Sequence, residues 1–368
     1  MNKTDTSTRI TVALGTRSYP IVAGPGLLSD LGSHLREYNF YSPLAVITDE
    51  TVAAIYGERV MASLQADGYA CRQVTFPAGE MHKHLQTVQS LYDQLVAMRL
   101  ERKSGIIALG GGVVGDVAGF VAATYLRGVP FIQAPTTLLA QVDASVGGKV
   151  GVDHPGGKNL IGAFYQPQAV LIDTETLQTL PARELLAGLA EVIKHGVIAD
   201  AALFERVKER LDWLKQADQQ TYKEIIPWNC QIKAHVVEQD EREAGLRAIL
   251  NFGHTIGHAI ESLTGYAQYL HGEAVALGML IEAQLGEALG ITPAEVVREL
   301  QAVLQAAGFP LAKPDLSGEA MLESMFHDKK VDRGRLRFVF PTRMGEVSIT
   351  PVEDTEAILR VWERDSPS

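Results

Sequence analysis

The sequence predicts two parts: an α/β domain over residues 1–180, with a mostly parallel sheet of a variant Rossmann-like kind, and a mainly α-helical domain over residues 181–368. Three observations predict this. Short β-rich runs alternate with helical runs through the first half, the pattern of a parallel sheet covered by helices. One of those strands runs straight into a glycine cluster. After Pro181, a residue suited to a first helical turn, long helical periods replace the alternation.

Taken in order, 9–24 reads as a hairpin, with Val12 and Leu14, then Tyr19 and Ile21, around a Gly-Thr-Arg turn. Residues 44–50 form a buried strand, 51–67 an amphipathic helix, 70–79 a strand, 85–100 a helix and 105–112 a strand ending in glycine. Beyond Pro181 helical periods cover 184–196, 199–215, 221–238, 252–264, 272–288, 293–307 and 317–327. Two late strands, 335–341 and 345–350, precede a last helix at 353–364. There is no internal repeat and no low-complexity segment.

Composition narrows the function classes. The chain has 368 residues, 46% hydrophobic and 21% charged, as in globular proteins. A net charge of -11 argues against general binding of nucleic acid or acidic membranes, which need a basic surface. Cys71 and Cys230 stand far apart and fit neither a disulfide framework nor a metal spacing. The polar start MNKTDTSTRI does not read as a signal peptide, and no apolar run approaches the ~18–20 residues of a spanning helix, so the expected location is the cytoplasm.

The run ALGGGVVGDVAGF contains Gly110-x-Gly112-x-x-Gly115 between a strand and a helix. Glycine lets a backbone approach a phosphate, and a helix N-terminus offers amide donors and partial positive charge. No acid stands ~20 residues on to hold a ribose, as the Rossmann fingerprint requires. A dinucleotide on a variant α/β scaffold is the expectation.

An acidic protein then shows a basic constellation. Between Tyr125 and Phe164, Arg127, Lys149, Lys158 and Asn159 lie in glycine-rich, otherwise uncharged sequence. Loops of the Gly-Gly-Lys and Gly-Gly-Lys-Asn type are expected to fold around an anion, the lysine supplying the charge. The second half repeats the theme with Lys194 after Glu191, with Lys233, and with Lys329 and Lys330. Spacings of four and three place Glu243, Arg247, Asn251, His254 and His258 along one expected helical stripe, with Leu246, Ile249, Leu250 and Ile256 in the gaps.

His254 and His258 stand four apart, on one helix face. A zinc-protease helix has a glutamate after the first histidine, and HTIGH has Thr255 there. A catalytic metal takes three protein ligands and keeps a position open. His254, His258, His271 and Glu191 are four candidates for three places, and spacing does not choose among them.

Taken together, GGGVVGDVAGF, YLRGVPFIQAPTTLLAQVDASVGGKVGVDHPGGKNLIGAF, LPARELLAGLAEVIKHG and GLRAILNFGHTIGHAIE…HGEAVALGM resemble the 3-dehydroquinate synthase family of sugar-phosphate cyclases, in order from about Ile10 to Val361. The resemblance implies an NAD-binding α/β domain and a helical domain, with zinc in the cleft between, in a cytoplasmic homodimer. It implies zinc ligands Glu191, His254 and His271, with Co2+ as a substitute metal. NAD contacts are implied for Asp49, Glu80, Lys83, Gly111, Gly112, Val113, Asp116, Thr136, Thr137, Leu139, Thr176, Thr179, Leu180 and Glu184, and also for Asp143, Lys149 and Lys158. Catalytic and substrate contacts are implied for Arg127, Asp143, Lys149, Lys158, Asn159, Lys194, Lys233, Glu243, Arg247, Asn251 and His258, and for Lys329 or Lys330. Thr51 stands where the family often has an adenosine-contacting asparagine, and PAGE replaces the commoner PSGE.

The implied reaction turns a phosphorylated sugar acid, 3-deoxy-D-arabino-heptulosonate 7-phosphate, into 3-dehydroquinate and phosphate, a shikimate-pathway step. It runs by transient oxidation, β-elimination of phosphate, re-reduction, ring opening and aldol closure. Alternatives are a sister cyclase making an inosose or a valiolone, a metal-dependent polyol dehydrogenase, and a non-catalytic relative that would be expected to have lost some of these groups.

Overall fold

The computed structural model describes residues 7–327, 331–332 and 335–363. The chain forms two compact units. One takes the chain up to Leu180 together with Tyr222–Glu238; the other takes Pro181–Thr221 and the chain from Gln239 on.

Among the described residues, nine strands lie in the first unit: β1 (Thr8–Val12), β2 (Tyr19–Gly24), β3 (Tyr41–Asp49), β4 (Cys71–Phe76), β5 (Ser104–Gly110), β6 (Phe131–Pro135), β7 (Lys149–His154), β8 (Gly157–Phe164) and β9 (Ala169–Asp173). Seven form one sheet in the order β1-β2-β9-β6-β5-β3-β4. Among the described residues of that sheet only the β1–β2 hairpin is antiparallel; it turns through the short helix Gly15–Arg17, at the expected Gly-Thr-Arg. Alternate residues of each inner strand serve opposite faces. Ala45, Ile47, Ile106 and Ala108 pack in one buried cluster with the helices Leu85–Ala97 and Gly112–Thr124. Leu44, Val46, Ile107 and Leu109 pack in another with Leu31–Leu35 and Glu58–Ala66. Both faces are covered, so these strands read as unbroken apolar runs.

Reading outward from β3, the parallel order is that of a doubly wound sheet in which β3 and β5 flank the switch point. The carboxyl ends of these two strands carry Asp49 and Gly110, with Thr48 opposite Leu109 in register.

The expected Gly-Gly-Lys loops are a correction. Lys149 opens β7 and Lys158 lies in β8, an antiparallel hairpin with Val150 opposite Ala163 and Val152 opposite Ile161. Val150 and Val152 are buried in the cluster of the Gly112–Thr124 helix. A period-two apolar pattern was present, interrupted by glycines. A Cβ on Gly151 would come 2.7 Å from the Ile161 carbonyl oxygen, so glycine permits close pairing of the two strands.

The second unit contains the helices Ala182–Ala199, Ala201–Glu209, Leu211–Lys215, His254–Leu263, His271–Ala288, Ala294–Ala307, Gly318–His327 and Thr355–Glu363. A three-stranded antiparallel sheet, β10 (Val331–Asp332), β11 (Arg335–Arg343) and β12 (Glu346–Val352), completes it. Phe338 and Phe340 of β11 pack with Ile256, Ile260, Leu277 and Ile281 of the two histidine-bearing helices.

The helix Gln219–Gln239 departs from the expected 181–368 domain, because Tyr222–Glu238 groups with the first unit. Its contacts with that unit explain this. Cys230 Sγ lies 3.3 Å from the Gln141 carbonyl, Lys233 Nζ is 2.7 Å from Asp143 Oδ1, and Glu238 Oε1 accepts the Ala13 N–H at 2.6 Å.

Candidate functional site

In the first unit the glycine loop ends β5 and opens the Gly112–Thr124 helix, whose N-cap, Gly111, has no side chain to cap it. A Cβ on Gly110 would meet Val114 Cγ2 at 2.5 Å, and one on Gly115 would meet Gln133 Oε1 at 2.8 Å. Those two glycines let strand and helix pack closely. Gly111 and Gly112 leave the backbone approachable, and Thr137 stands beside Gly111. An uncapped helix start of this kind leaves amide donors that could hold a pyrophosphate.

Lys83 joins three elements. It is 5% exposed, its Nζ pairs with Asp116 Oδ2 at 2.7 Å, and it donates to Asn159 Oδ1 at 2.6 Å. Burial opposes its charge, but Asp116, Glu80 and Asp153 outweigh burial and hold its pKa above the ordinary lysine value. Asp153, which sequence reasoning missed, accepts the Asn159 N–H at 2.7 Å, where Asn159 turns through a positive φ of 52°. Lys158 Nζ lies 3.4 Å from Glu80 Oε1.

Other predicted groups of this unit have structural partners. Asp49 Oδ1 caps the Val52 N–H at 2.9 Å, Thr137 Oγ1 accepts from Ala140 N at 3.2 Å, and Thr179 hydrogen-bonds to the Tyr56 hydroxyl. Thr176 is buried and bonded to Gln141 Nε2 at 2.9 Å. Thr136 is also buried, Leu139 precedes the π-helical stretch Ala140–Ala144 that carries Asp143, and Leu180 ends the unit's first segment. Lys149 and Arg127 are exposed, and Leu126 and Arg127 both have positive φ.

In the second unit Glu184 is exposed, whereas Glu191 and Lys194, three residues apart on the Ala182–Ala199 helix, are buried and paired with each other. Glu191 Oε1 faces Nε2 of His254 at 3.6 Å and Nε2 of His271 at 3.9 Å, separations too long for hydrogen bonds. One ligand atom from each of the three residues lies within 4.8 Å of the others. Donors bound tetrahedrally to zinc at ordinary bond lengths stand about 3.3 Å apart, so the three groups are gathered somewhat wider than a bound ion would hold them.

Both imidazoles are turned the right way. His254 Nδ1 donates to the Phe252 carbonyl at 3.1 Å, and His271 Nδ1 lies 3.1 Å from Glu261 Oε2. A proton on each Nδ1 leaves each Nε2 lone pair turned toward Glu191, as in metal-binding histidines whose other nitrogen is held by an acceptor. A buried carboxylate oxygen without a hydrogen bond, faced by two such nitrogens, is a donor set that zinc or cobalt fits.

His258 is one turn beyond His254, with ring centroids 5.5 Å apart, and its ring is 5.9 Å from that of His271. It also groups with Glu261 and His271 as an alternative donor set. Since Glu261 already holds His271 Nδ1, the set containing Glu191 has the better-oriented donors. Glu261 stands at helical spacing from both His254 and His258, a signal the sequence carried unused.

The single helical stripe from Glu243 to His258 is a further correction. Leu246–Asn251 is a 3-10 helix, Phe252 leaves helical geometry, and Gly253 at φ 79° starts a new helix. Asp240 organises the approach, accepting the N–H groups of Ala244, Gly245 and Arg247 at 2.8, 2.7 and 3.0 Å. Buried Arg247 donates to the Glu241 carbonyl at 2.7 Å, and Asn251 Nδ2 donates to Glu243 Oε1 at 2.9 Å. Lys329 and Lys330 lie outside the described residues.

Comparison with known proteins gives the class first. The fold is that of the sugar-phosphate cyclases. A 2-deoxy-scyllo-inosose synthase complexed with carbaglucose-6-phosphate, NAD+ and Co2+ superposes with a TM-score of 0.87 at 27% identity, over 96% of this chain and 100% of that one. A 2-epi-5-epi-valiolone synthase from Streptomyces hygroscopicus with NAD+ and Zn2+ bound gives 0.87 at 28% identity, over 96% and 99%. Within the class, the family models described as 3-dehydroquinate synthase N-terminal and C-terminal match residues 73–187 and 188–331. A 3-dehydroquinate synthase from Desulforamulus reducens is 52% identical over 92% of this chain and 95% of its own. The chain belongs to the 3-dehydroquinate synthase family.

Proposed function

We propose that this protein is a carbon-oxygen lyase that converts 3-deoxy-D-arabino-heptulosonate 7-phosphate to 3-dehydroquinate and phosphate, using NAD and zinc, with cobalt as a substitute metal. The observation that carries the reading is the buried Glu191 carboxylate faced by Nε2 of two histidines whose Nδ1 atoms each lie against an oxygen acceptor, in a chain of this family.

Glu191, His254 and His271 would hold the metal. The uncapped helix start at Gly111–Val113, with Asp49, Glu80, Lys83, Asp116, Thr136, Thr137, Leu139, Thr176, Thr179, Leu180 and Glu184, would hold NAD. When bound, NAD supplies a hydride acceptor and donor, and the metal supplies Lewis acidity toward substrate oxygens.

The remaining groups bind and orient. A phosphate dianion taken from water without counter-charge costs several kcal/mol, of order the desolvation of any buried ion. Arg127, Lys149 and one of Lys329 and Lys330 offset that charge, and Asn159 and Asn251 add neutral donors. Asn251 is held by Glu243, which leaves its carbonyl oxygen and second N–H for other partners. Arg247, Lys158, Lys194, and Lys233 with Asp143 orient the hydroxyl and carboxylate groups of the sugar acid. His258 holds or passes a proton beside them. The substrate's own phosphate takes the proton during elimination, so no strong protein base is needed at that step.

The test is release of phosphate from the heptulosonate phosphate by protein loaded with NAD and zinc, without net NADH. Turnover of sedoheptulose 7-phosphate or glucose 6-phosphate instead would make it a sister cyclase. Net NADH without phosphate would make it a polyol dehydrogenase. We propose further that it acts as a homodimer in the cytoplasm, as the family resemblance supports; light scattering in solution tests the dimer. Among the described residues no helix is long and apolar enough to cross a membrane.

A further inference from the structure

Glu282 lies midway along the His271–Ala288 helix, in the apolar run ALGMLIEAQLG, and is 0% exposed. Its Oε2 accepts the Gly253 N–H at 2.9 Å, and its Oε1 lies 3.5 Å from the Ile256 nitrogen. Gly253 is the N-cap of the His254–Leu263 helix and has no side chain to cap it. Glu282 supplies, from a neighbouring helix, the oxygen that a serine or aspartate cap would otherwise provide.

The same peptide group makes a second bond. The amide whose nitrogen belongs to Gly253 has the carbonyl of Phe252, and that carbonyl accepts from His254 Nδ1 at 3.1 Å. A carbonyl can only accept, so Nδ1 carries the proton and Nε2 offers its lone pair. An acceptor on the N–H side of a peptide polarises it and makes its oxygen a stronger acceptor. Glu282, the Phe252–Gly253 peptide and the His254 ring therefore form one hydrogen-bonded chain, buried throughout.

We infer that Glu282 is a positioning residue that acts on His254 through this peptide, fixing the ring's tautomer and strengthening Nε2 as a metal ligand. Glu261 does the same for His271 by direct contact, so each histidine of the centre is backed by a buried carboxylate. The inference rests on the reading of Glu191, His254 and His271 as the metal centre.

The test is metal affinity, from chelator competition with Zn2+ and Co2+, together with the Co2+ absorption bands and the melting temperature of metal-free protein. Glu282→Gln keeps an acceptor and removes the charge; Glu282→Met keeps the volume and removes both. Glu282→Gln should bind metal about tenfold more weakly, as loss of an outer-shell partner does, with shifted Co2+ bands and a near-native melting temperature. Glu282→Met should lose more. Wild-type affinity and unshifted bands in Glu282→Gln would overturn the inference. So would affinity losses that follow melting temperature across both variants with unchanged bands, which would leave Glu282 a structural cap alone. One measurement needs no variant: in labelled wild-type protein His254 should be the Nδ1–H tautomer, and the Nε2–H tautomer would refute the relay. If wild type and His254→Ala bind metal alike, the metal centre itself is wrong, a result distinct from failure at Glu282 alone.

Discussion

Nδ1 of His271 stands 3.1 Å from Oε2 of Glu261, a buried carboxylate on the helix that also carries His254 and His258. One helix thus turns one imidazole toward Glu191 and also orients the imidazole of its neighbour. The rings of His254 and His271 cross at 67°, with Nε2 of each directed at Glu191.

The two histidines of HTIGH should therefore separate in function. His254→Ala should lose bound metal, whereas His258→Ala should keep it and lose turnover. Metal content per chain, measured after dialysis against buffered zinc, checks this. An equal fall in both variants would mean that His258 is a ligand.

Lys149 opens the β7–β8 hairpin and is exposed, so removing it should spare the fold. Lys149→Ala should raise the substrate KM roughly thirtyfold, the loss of about 2 kcal/mol from a charged hydrogen bond. NAD affinity, followed by fluorescence titration, should stay at the wild-type level. A large loss there would reassign the lysine to the dinucleotide.

Gly278 faces the start of the His254–Leu263 helix, where an added Cβ would overlap the Gly253 carbonyl oxygen and come 2.9 Å from the Gly257 nitrogen. Both neighbours are backbone and cannot swing away. Gly278→Ala should destabilise the protein by about 1–3 kcal/mol and weaken metal binding by displacing His254. Urea unfolding and metal titration read the two effects, and an unchanged midpoint would contradict the close helix contact.

Asp240 makes a pH prediction. Burial acts to raise its pKa, but the N–H groups of Ala244, Arg247 and Gly245 outweigh burial and hold the carboxyl below its ordinary range. A depressed folded pKa contributes stability that is complete above the unfolded value of about 3.9 and is lost as pH falls through the folded one. Asp240→Ala should cost about 1–2 kcal/mol at neutral pH, and the difference from wild type should shrink below pH ~4. A constant difference down to acid unfolding would show that the charge is not what matters.

Much of this was legible in the residues. Strand–helix alternation and the late helical periods fall where the elements lie, because both sheet faces are covered and the helices have clear apolar stripes. The β7–β8 hairpin was hidden because glycines interrupt its period-two pattern. The stripe from Glu243 to His258 misled because spacing assumes one continuous helix, and Gly253 at φ 79° ends that assumption. Among the ligand candidates, spacing could not separate His258 from His271; what favours His271 is that its Nε2 faces Glu191 while Glu261 holds its Nδ1, contacts that spacing along the chain does not reveal. Nothing local marks Glu282 beyond a charge in an apolar run, since its partner is 29 residues away in sequence.

The helix that begins at Gln219 bears on how the protein can be divided. The chain leaves the sheet unit after Leu180, returns for Tyr222–Glu238 and leaves again. No single cut releases either unit whole. A fragment ending at Leu180 would lack Lys233 beside Asp143, Glu238 beside Ala13 and Cys230 beside the Gln141 carbonyl. The unit built on the sheet is therefore not a detachable module: its completion waits on a helix made only after part of the helical unit has been synthesised.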